Sequence, residues 1–399
     1  MKSYHSLAFI AFLLALSVSG PLSINFYLAL LPEMADSLAT SAATIQQTVS
    51  VYLIGFACAQ LIVGPLSDRF GRRPILIICY TLFGLASLVC ALAHDANVLI
   101  MGRFIQSLGG CAGVLISRAI ARDVFSPKEM GQVMSYMITG FSMAPLIAPA
   151  IGGFVGIAFG WRSLFWILAG IGFSLMLWTY FTFQETNKAL NPKATQLKQI
   201  IRNYASLLSN KHFLCYFLVV STSVAGVLTY TSASSFVLIE VLGVPAQYYG
   251  LLFSINAFGM FLGSLISAKL SRQFGSESAS WYGCLLLLTG GTILAILPLL
   301  GIVSIFTLVG SMFIYALGNG VVMPSAMTLA IMPFPKKAGA AAALIGCSQS
   351  ALGALCGYIA SLLYDKTAIP MTSIIGLMSL LAFSGLLYIR VSQKKVQYP

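Results

Sequence analysis

The sequence predicts an all-α membrane protein, with twelve transmembrane helices in two pseudo-symmetric six-helix bundles. Composition comes first. Of 399 residues, 58% are hydrophobic and 8% charged, with a mean hydropathy of +0.91, whereas soluble domains carry roughly 25% charged residues. Most of this chain is therefore solvated by lipid. Second, the apolar residues form runs of about 20 or more without strand-like alternation, so helices satisfy the backbone in hydrocarbon. Third, the basic residues gather at alternate gaps between those runs.

The runs lie near 6–31, 43–67, 74–95, 98–121, 130–157, 161–184, 212–240, 247–271, 279–300, 302–331, 338–364 and 370–391. Each is long enough to cross about 30 Å of hydrocarbon. With the N-terminus inside, the inner gaps and tails collect 19 of the 22 Lys and Arg residues, including Lys2, Lys188, Lys193, Arg69, Arg72, Arg73, Arg118, Arg122, Lys336 and Lys337. Arg162 and Lys366 fall outside, and Arg103 alone lies within a span. This asymmetry puts both termini in the cytoplasm of a multi-pass membrane protein. Residues 1–30 lack a small-residue cleavage site after a short apolar core, so the first span is expected to be retained.

The longest polar stretch, 185–211, divides an N-terminal bundle (1–184) from a C-terminal one (212–399). It reads as a plain linker, or its QLKQIIRNYASLL segment as a short amphipathic helix on the inner surface. The halves echo each other. Phe104-Ile-Gln-Ser-Leu-Gly-Gly110 matches Phe313-Ile-Tyr-Ala-Leu-Gly-Asn319, and Phe70-Gly71 matches Phe274-Gly275, at offsets of 209 and 204. Such a repeat marks transporters built from two related bundles, with the substrate between them.

The net charge of +12 is dispersed along the chain, which argues against nucleic acid. The eight cysteines lie inside apolar runs without a CxxC pair and read as small hydrophobes. His5, His94 and His212 are far apart, so neither a metal nor any other cofactor is expected. A polytopic membrane enzyme would need paired acids or a nucleophile motif, and no HExxH or GxSxG occurs.

One stretch concentrates charge. GPLSDRFGRRP, residues 64–74, holds Asp68, Arg69, Arg72 and Arg73 within six positions. Topology explains the arginines but not Asp68, and Gly64 and Gly71 suggest close backbone approach or left-handed turns. This segment resembles the signature loop of the major facilitator superfamily, after span two of a six-plus-six layout. Gly-Arg-Phe-Ile-Gln at 102–106, Ser-Arg-Ala-Ile-Ala-Arg-Asp at 117–123, Ala-Pro-Ala-Ile-Gly-Gly at 148–153, Gly-Trp-Arg at 160–162 and Gln-Glu-Thr at 184–186 together resemble the bicyclomycin-resistance (Bcr/CflA) type of drug/proton antiporter.

The resemblance implies that Asp68 pairs with Arg118 or Arg122 and faces the start of the eleventh helix near Lys337. Gly64, Asp68, Arg69, Gly71, Arg72, Arg73, Arg118 and Arg122 would form a latch of the outward-facing state. Arg103, the one cation inside a span, is expected to face the central cavity and contact substrate or to meet a polar partner, the alternative being a snorkelling residue near the outer end of span four; the resemblance adds a coupling role. Pro145, Pro149, Gly152 and Gly153 would be an antiporter-type hinge, with Ala148 where that motif usually places Gly. Polar or aromatic residues deep in the spans are Asn25, Tyr27, Gln106, Tyr136, Tyr230, Asn256, Tyr315, Asn319 and Gln349. Each reads as a helix-packing contact or, as a set, as the lining of an apolar cavity with a few polar groups. The resemblance places an acid where Asn25 stands. Either Glu33 or Glu240 near the outer ends then reaches into the outer cavity and carries the proton, or the transporter is not coupled in the usual way.

The function the resemblance implies is export of amphipathic small molecules across a bacterial inner membrane by alternating access, with protons as the coupling partner, in a monomer surrounded by lipid. The rival is an importer or facilitator of one metabolite or metallophore.

Overall fold

A computed structural model describes residues 6–187, 190–192 and 194–397; Lys2, His5, Lys188 and Lys193 lie outside them. Among the described residues every regular element is helical: α1 (Leu7–Asn25), α2 (Leu31–Ser37), α3 (Ala42–Phe70), α4 (Arg72–Ala91), α5 (Ala96–Val124), α6 (Pro127–Phe159), α7 (Arg162–Thr182), α8 (Leu197–Leu208), α9 (Lys211–Phe236), α10 (Ala246–Leu299), α11 (Ile305–Ile331), α12 (Ala338–Leu362) and α13 (Ile369–Gln397). Among the described residues eleven helices are long and apolar enough to cross a membrane, with Leu7–Ser37 taken as one and α10 holding the eighth and ninth expected spans on either side of Gly275.

Local chemistry sets the starts. Ser6, Ser41, Asp95, Asn210 and Ser304 accept from backbone N–H groups in the first turns of α1, α3, α5, α9 and α11. Ser126 and Glu129 form a reciprocal capping box ahead of α6. The first span departs from the expected single run. Its α-helix ends at Asn25, a 3-10 turn covers Leu28–Leu30, and α2 follows with Pro32 in its first turn. The eighth and ninth runs are joined as α10, broken only at Gly275 (φ 83°, ψ 158°). Gly71, its repeat mate, has φ 99° and ψ 161°. Only glycine occupies that region readily, so the same backbone corner occurs in both halves.

The chain divides into two compact units. One holds the described part of Met1–Leu197 with Ala246–Gly250; the other holds Lys198–Pro245 with the described part of Leu251–Pro399. In the first, α1 packs on α5 and α6, and α5 on α3 and α4; in the second, α9 packs on α11 and α12. Bare backbone sets the closest approaches. A Cβ on Gly55 of α3 would meet the Phe104 carbonyl of α5 at 2.8 Å, and one on Gly259 of α10 would meet the Phe313 carbonyl of α11 at 3.0 Å. A Cβ on Gly109 would strike the Cys79 carbonyl and Phe83, and one on Gly318 the Gly283 carbonyl and Leu287. Every partner is displaced by 204 or 209 residues, so the sequence repeat is also a repeat of helix contacts.

The segment 197–208 forms α8, with Leu207 fully buried and Ile201 56% exposed, so it is not a plain linker. Burial pushes the Tyr204 hydroxyl above its usual range. Of the cysteines, Cys90, Cys111, Cys284 and Cys356 are buried and Cys58 is exposed.

Candidate functional site

The charged turn folds as a clamp within the first unit. Gly71 ends α3, its N–H donating to the Ser67 carbonyl at 3.1 Å, and α4 restarts at Arg72. That restart turns the Arg72 side chain back onto α3, where it is 3% exposed. Its Nη1 donates to Asp68 Oδ1 and Ser67 Oγ, each at 2.6 Å, and its Nε to Asp123 Oδ2 at 3.2 Å. Arg72 is therefore the partner of Asp68, in place of the expected Arg118 or Arg122. The reason is proximity: Arg72 lies four residues on and is already desolvated, so it takes both carboxylates. Arg118 and Arg122 form no hydrogen bond or ion pair with the described residues.

A third carboxylate completes the clamp from far along the chain. Glu185 accepts from the backbone N–H groups of Arg72 (3.0 Å) and Arg73 (2.9 Å) at the start of α4, and from those of Thr186 (3.0 Å) and Asn187 (2.8 Å). An anion there meets unpaired donors and the positive end of the helix dipole. A Cβ on Gly71 would collide with Glu185 Oε2. Asn191 N donates to the Asp68 carbonyl at 3.0 Å, Arg69 Nη1 to Thr195 Oγ1 at 2.6 Å, and Arg73 Nη2 to the Tyr180 carbonyl at 2.7 Å. Gly64 makes no close approach, for a Cβ there meets nothing within 4 Å; it is an ordinary residue of α3.

The second focus is Arg103, in the interior of the first unit at 0% exposure, not snorkelling. The Tyr27 and Tyr52 ring centroids lie 4.4 and 4.2 Å from its guanidinium carbon, and Phe165 lies at 5.8 Å. Nη1 donates to Ser23 Oγ at 3.0 Å and to Gln106 Oε1, and Nη2 to the Ser23 carbonyl at 3.1 Å. Gln106 in turn donates to Ser87 Oγ at 2.6 Å, and the Tyr27 hydroxyl shares a hydrogen bond with Thr48 at 3.1 Å. Sequence reasoning found Arg103, Gln106 and Tyr27 but missed Ser23, Ser87, Tyr52, Asp123 and Glu185. For Glu185 the signal was present, as one of very few acids in a chain this apolar.

The other expected positions are dispersed. Asn25 donates to the Pro21 carbonyl at 2.7 Å and does not bond Arg103. Tyr136 is 44% exposed and accepts from Gln132 on the same helix at 2.8 Å. In the second unit Asn256 donates to the Tyr230 hydroxyl at 3.1 Å, the Tyr315 hydroxyl donates to the Ser223 carbonyl at 3.0 Å, and Asn319 lies against Met260. Gln349 lies on α12, its Nε2 without an acceptor among the described residues. α6 runs unbroken through Pro145 and Pro149. A Cβ on Gly152 would strike the Phe26 carbonyl, whereas one on Gly153 would meet the Ala29 Cβ at 3.4 Å. Glu33 is exposed in the first turn of α2. Glu240, in a π-helical turn over Val237–Val241, accepts from the Tyr364 hydroxyl at 3.1 Å. Burial, then the Glu240 charge, raises Tyr364 above the usual phenol range, so it stays a donor. Lys337 donates to Ser206 of α8 at 2.6 Å.

Comparison with known proteins gives consistent results. A family model described as Major Facilitator Superfamily matches residues 7–358. An uncharacterised MFS-type transporter, YdgK of Bacillus subtilis, is 34% identical, covering 96% of both chains. A bicyclomycin resistance protein homolog of Haemophilus influenzae is 31% identical over 92% of both. Multidrug resistance protein D of Escherichia coli is 28% identical over 98% of this chain and 96% of its own. Among solved structures, the xylose transporter XylE of E. coli superposes with a TM-score of 0.71 at 15% identity, over 96% of this chain and 98% of that one. A D-xylose-proton symporter gives 0.72 at 18% identity, over 96% and 97%; both show the fold alone. With its repeated helix contacts, its charged corner at Gly71 and a family match along most of its length, this multi-pass membrane protein belongs to the major facilitator superfamily of transporters.

Proposed function

We propose that this protein exports amphipathic small molecules across a bacterial inner membrane by alternating access, as a monomer with both termini in the cytoplasm. The observation that carries this reading is near-full-length similarity to relatives named for bicyclomycin and multidrug resistance. The bundles are the N-terminal residues 1–184 and the C-terminal residues 212–399, and the protein works as a transporter without chemistry of its own. The Asp68–Arg72–Asp123 clamp acts as the gate, with Pro145, Pro149 and Gly152 as the hinge. The aromatic and amide residues of both bundles contact substrate.

Protons drive the exchange. Because an amide stands at position 25, Glu33 or Glu240 carries the proton. Growth of cells with and without the protein, challenged with a panel of toxic amphipathic compounds, tests the export reading; equal sensitivity across the panel would overturn it. Transport of any hit in vesicles, with and without an imposed pH gradient, tests the coupling. Asn25→Asp is expected to create or strengthen gradient dependence. Full dependence in the parent protein that survives loss of both Glu33 and Glu240 would contradict this account.

A further inference from the structure

α8 exposes apolar side chains beside unpaired cations. Two apolar faces lie next to each other around the helix. Ile200, Tyr204 and Leu207, spaced by four and three residues, form the inner one; Leu207 is fully buried, and Ile200 and Tyr204 are half-buried. Ile201, Ala205 and Leu208 repeat that spacing one residue on, and here Ile201 is 56% and Leu208 39% exposed. Lys198 and Arg202 lie three residues before Ile201 and Ala205, so they border this outer face on the side away from Leu207. Both are exposed, and neither has an ion pair with the described residues.

The helix is held at a fixed level. Lys337, at the head of α12, donates to Ser206 Oγ at 2.6 Å. Asn210 N donates to the Leu207 carbonyl at 3.0 Å, and Asn210 Oδ1 accepts from Phe213 N at 3.1 Å, so the chain turns straight from α8 into α9. α9 opens the apolar span Lys211–Val241. The three residues from Leu208 to Lys211 reach about 10 Å at full extension, and a headgroup layer is about 5–8 Å deep. The end of α8 therefore lies at the headgroups. Charge in this region has one sign: residues 186–239 contain Lys188, Lys193, Lys198, Arg202 and Lys211 and no acid.

We propose that the outer face of α8 is a docking surface for anionic phospholipid. Ile201 and Leu208 enter the boundary between headgroups and acyl chains, and Lys198 and Arg202 donate to lipid phosphates. A bilayer is the occupant because the face continues into a span already in lipid and its charged residues are all cations. Each cation strengthens attraction to an anionic surface about fivefold, whereas the apolar contribution is the same in any lipid. Headgroup charge therefore sets how much of the time this face is covered. The inference is independent of what the protein transports and of the direction of transport.

The test follows burial of this face in the full-length protein in lipid nanodiscs, made of phosphatidylcholine alone or with about one third phosphatidylglycerol. Ile201→Cys, Leu208→Cys and Gln199→Cys are each alkylated with a hydrophilic maleimide. Peptide mass spectrometry reads the rate at the introduced thiol, apart from the native cysteines. Gln199 is exposed on the opposite side of the helix from Ile201, so dividing by its rate removes the effect of surface charge on the reagent. The relative rates at 201 and 208 are expected to fall about tenfold when phosphatidylglycerol is present. Lys198→Gln combined with Arg202→Gln should return them close to the phosphatidylcholine level. Salt at about 1 M should do the same without any substitution at the cations. Equal relative rates in the two lipids, protection that survives both the double substitution and salt, or equal protection by inorganic phosphate added to phosphatidylcholine nanodiscs would overturn the proposal. Full reactivity at 201 and 208 in both lipids would assign the face to a protein partner and overturn it equally.

Discussion

Glu185 is the most economical place to test whether the charged corner is a structural clamp. Its carboxylate joins the end of α7 to the start of α4 through two N–H groups that lie 113 and 112 residues away in sequence. Its bonds to Thr186 and Asn187 are local and hold the carboxylate in position. Only the two distant bonds couple separate helices. A side-chain acceptor capping a helix start is worth about 0.5–2 kcal/mol, and an anion on the dipole adds about 0.3–1. Glu185 is itself exposed, so the lower half of that range applies. Glu185→Ala is expected to cost about 1–2 kcal/mol. Glu185→Gln keeps one acceptor and should cost about half as much. For a unit of roughly 200 residues, 1 kcal/mol moves the midpoint by about 2–4 °C. Thermal unfolding of the purified protein, followed by a tryptophan or thiol-reactive probe, should show Tm falling by about 2–8 °C for Glu185→Ala, with Glu185→Gln between it and the parent. If both variants melt within a degree of the parent, the contact does not bear on stability, and the account of why α4 starts where it does is wrong.

Other outcomes follow from the same structure. Asp123→Ala leaves the buried Arg72 with Asp68 alone and should lower stability by about 1–3 kcal/mol; Tm measured beside Arg72→Met shows whether the penalty belongs to the stranded cation. Gly55→Ala and Gly259→Ala each push a methyl group against a backbone carbonyl, at Phe104 and Phe313, and should destabilise by similar amounts, about 1–3 kcal/mol each. A large effect at one site and none at the other would deny that these contacts are a repeat. Gly64→Ala meets open space within α3 and should leave Tm unchanged or slightly raised, whereas Gly71→Ala, with φ 99° and Glu185 in the way, should fail or melt far lower.

The features legible in sequence were those written in local pattern. Apolar runs gave the spans, the basic gaps gave the inner side, and Phe70-Gly71 with Phe274-Gly275 marked a corner that both halves repeat. Partner choice was not legible. Asp68 pairs with Arg72, four residues on, but the spacing alone does not show that Gly71 turns α4 back on α3 and buries that arginine between Asp68 and Asp123. The role of Glu185 depends on α7 ending beside the start of α4, more than a hundred residues away. The enclosure of Arg103 combines rings from α3, α7 and the turn after α1, with acceptors from α1 and α5, a convergence that no single stretch of chain records.

The two repeat offsets, 204 and 209, differ by five, and the helices show where the extra residues went. α4 has 20 residues and four residues precede α5. Past Gly275, α10 runs on from 276 to Leu299, four residues longer, and five residues precede α11. Four added helical residues amount to about 6 Å of rise. The duplicated halves have therefore diverged in height at one corner as well as in residue identity. A chimera exchanging that rod between copies would have to add or remove a full turn to keep the following helix in phase.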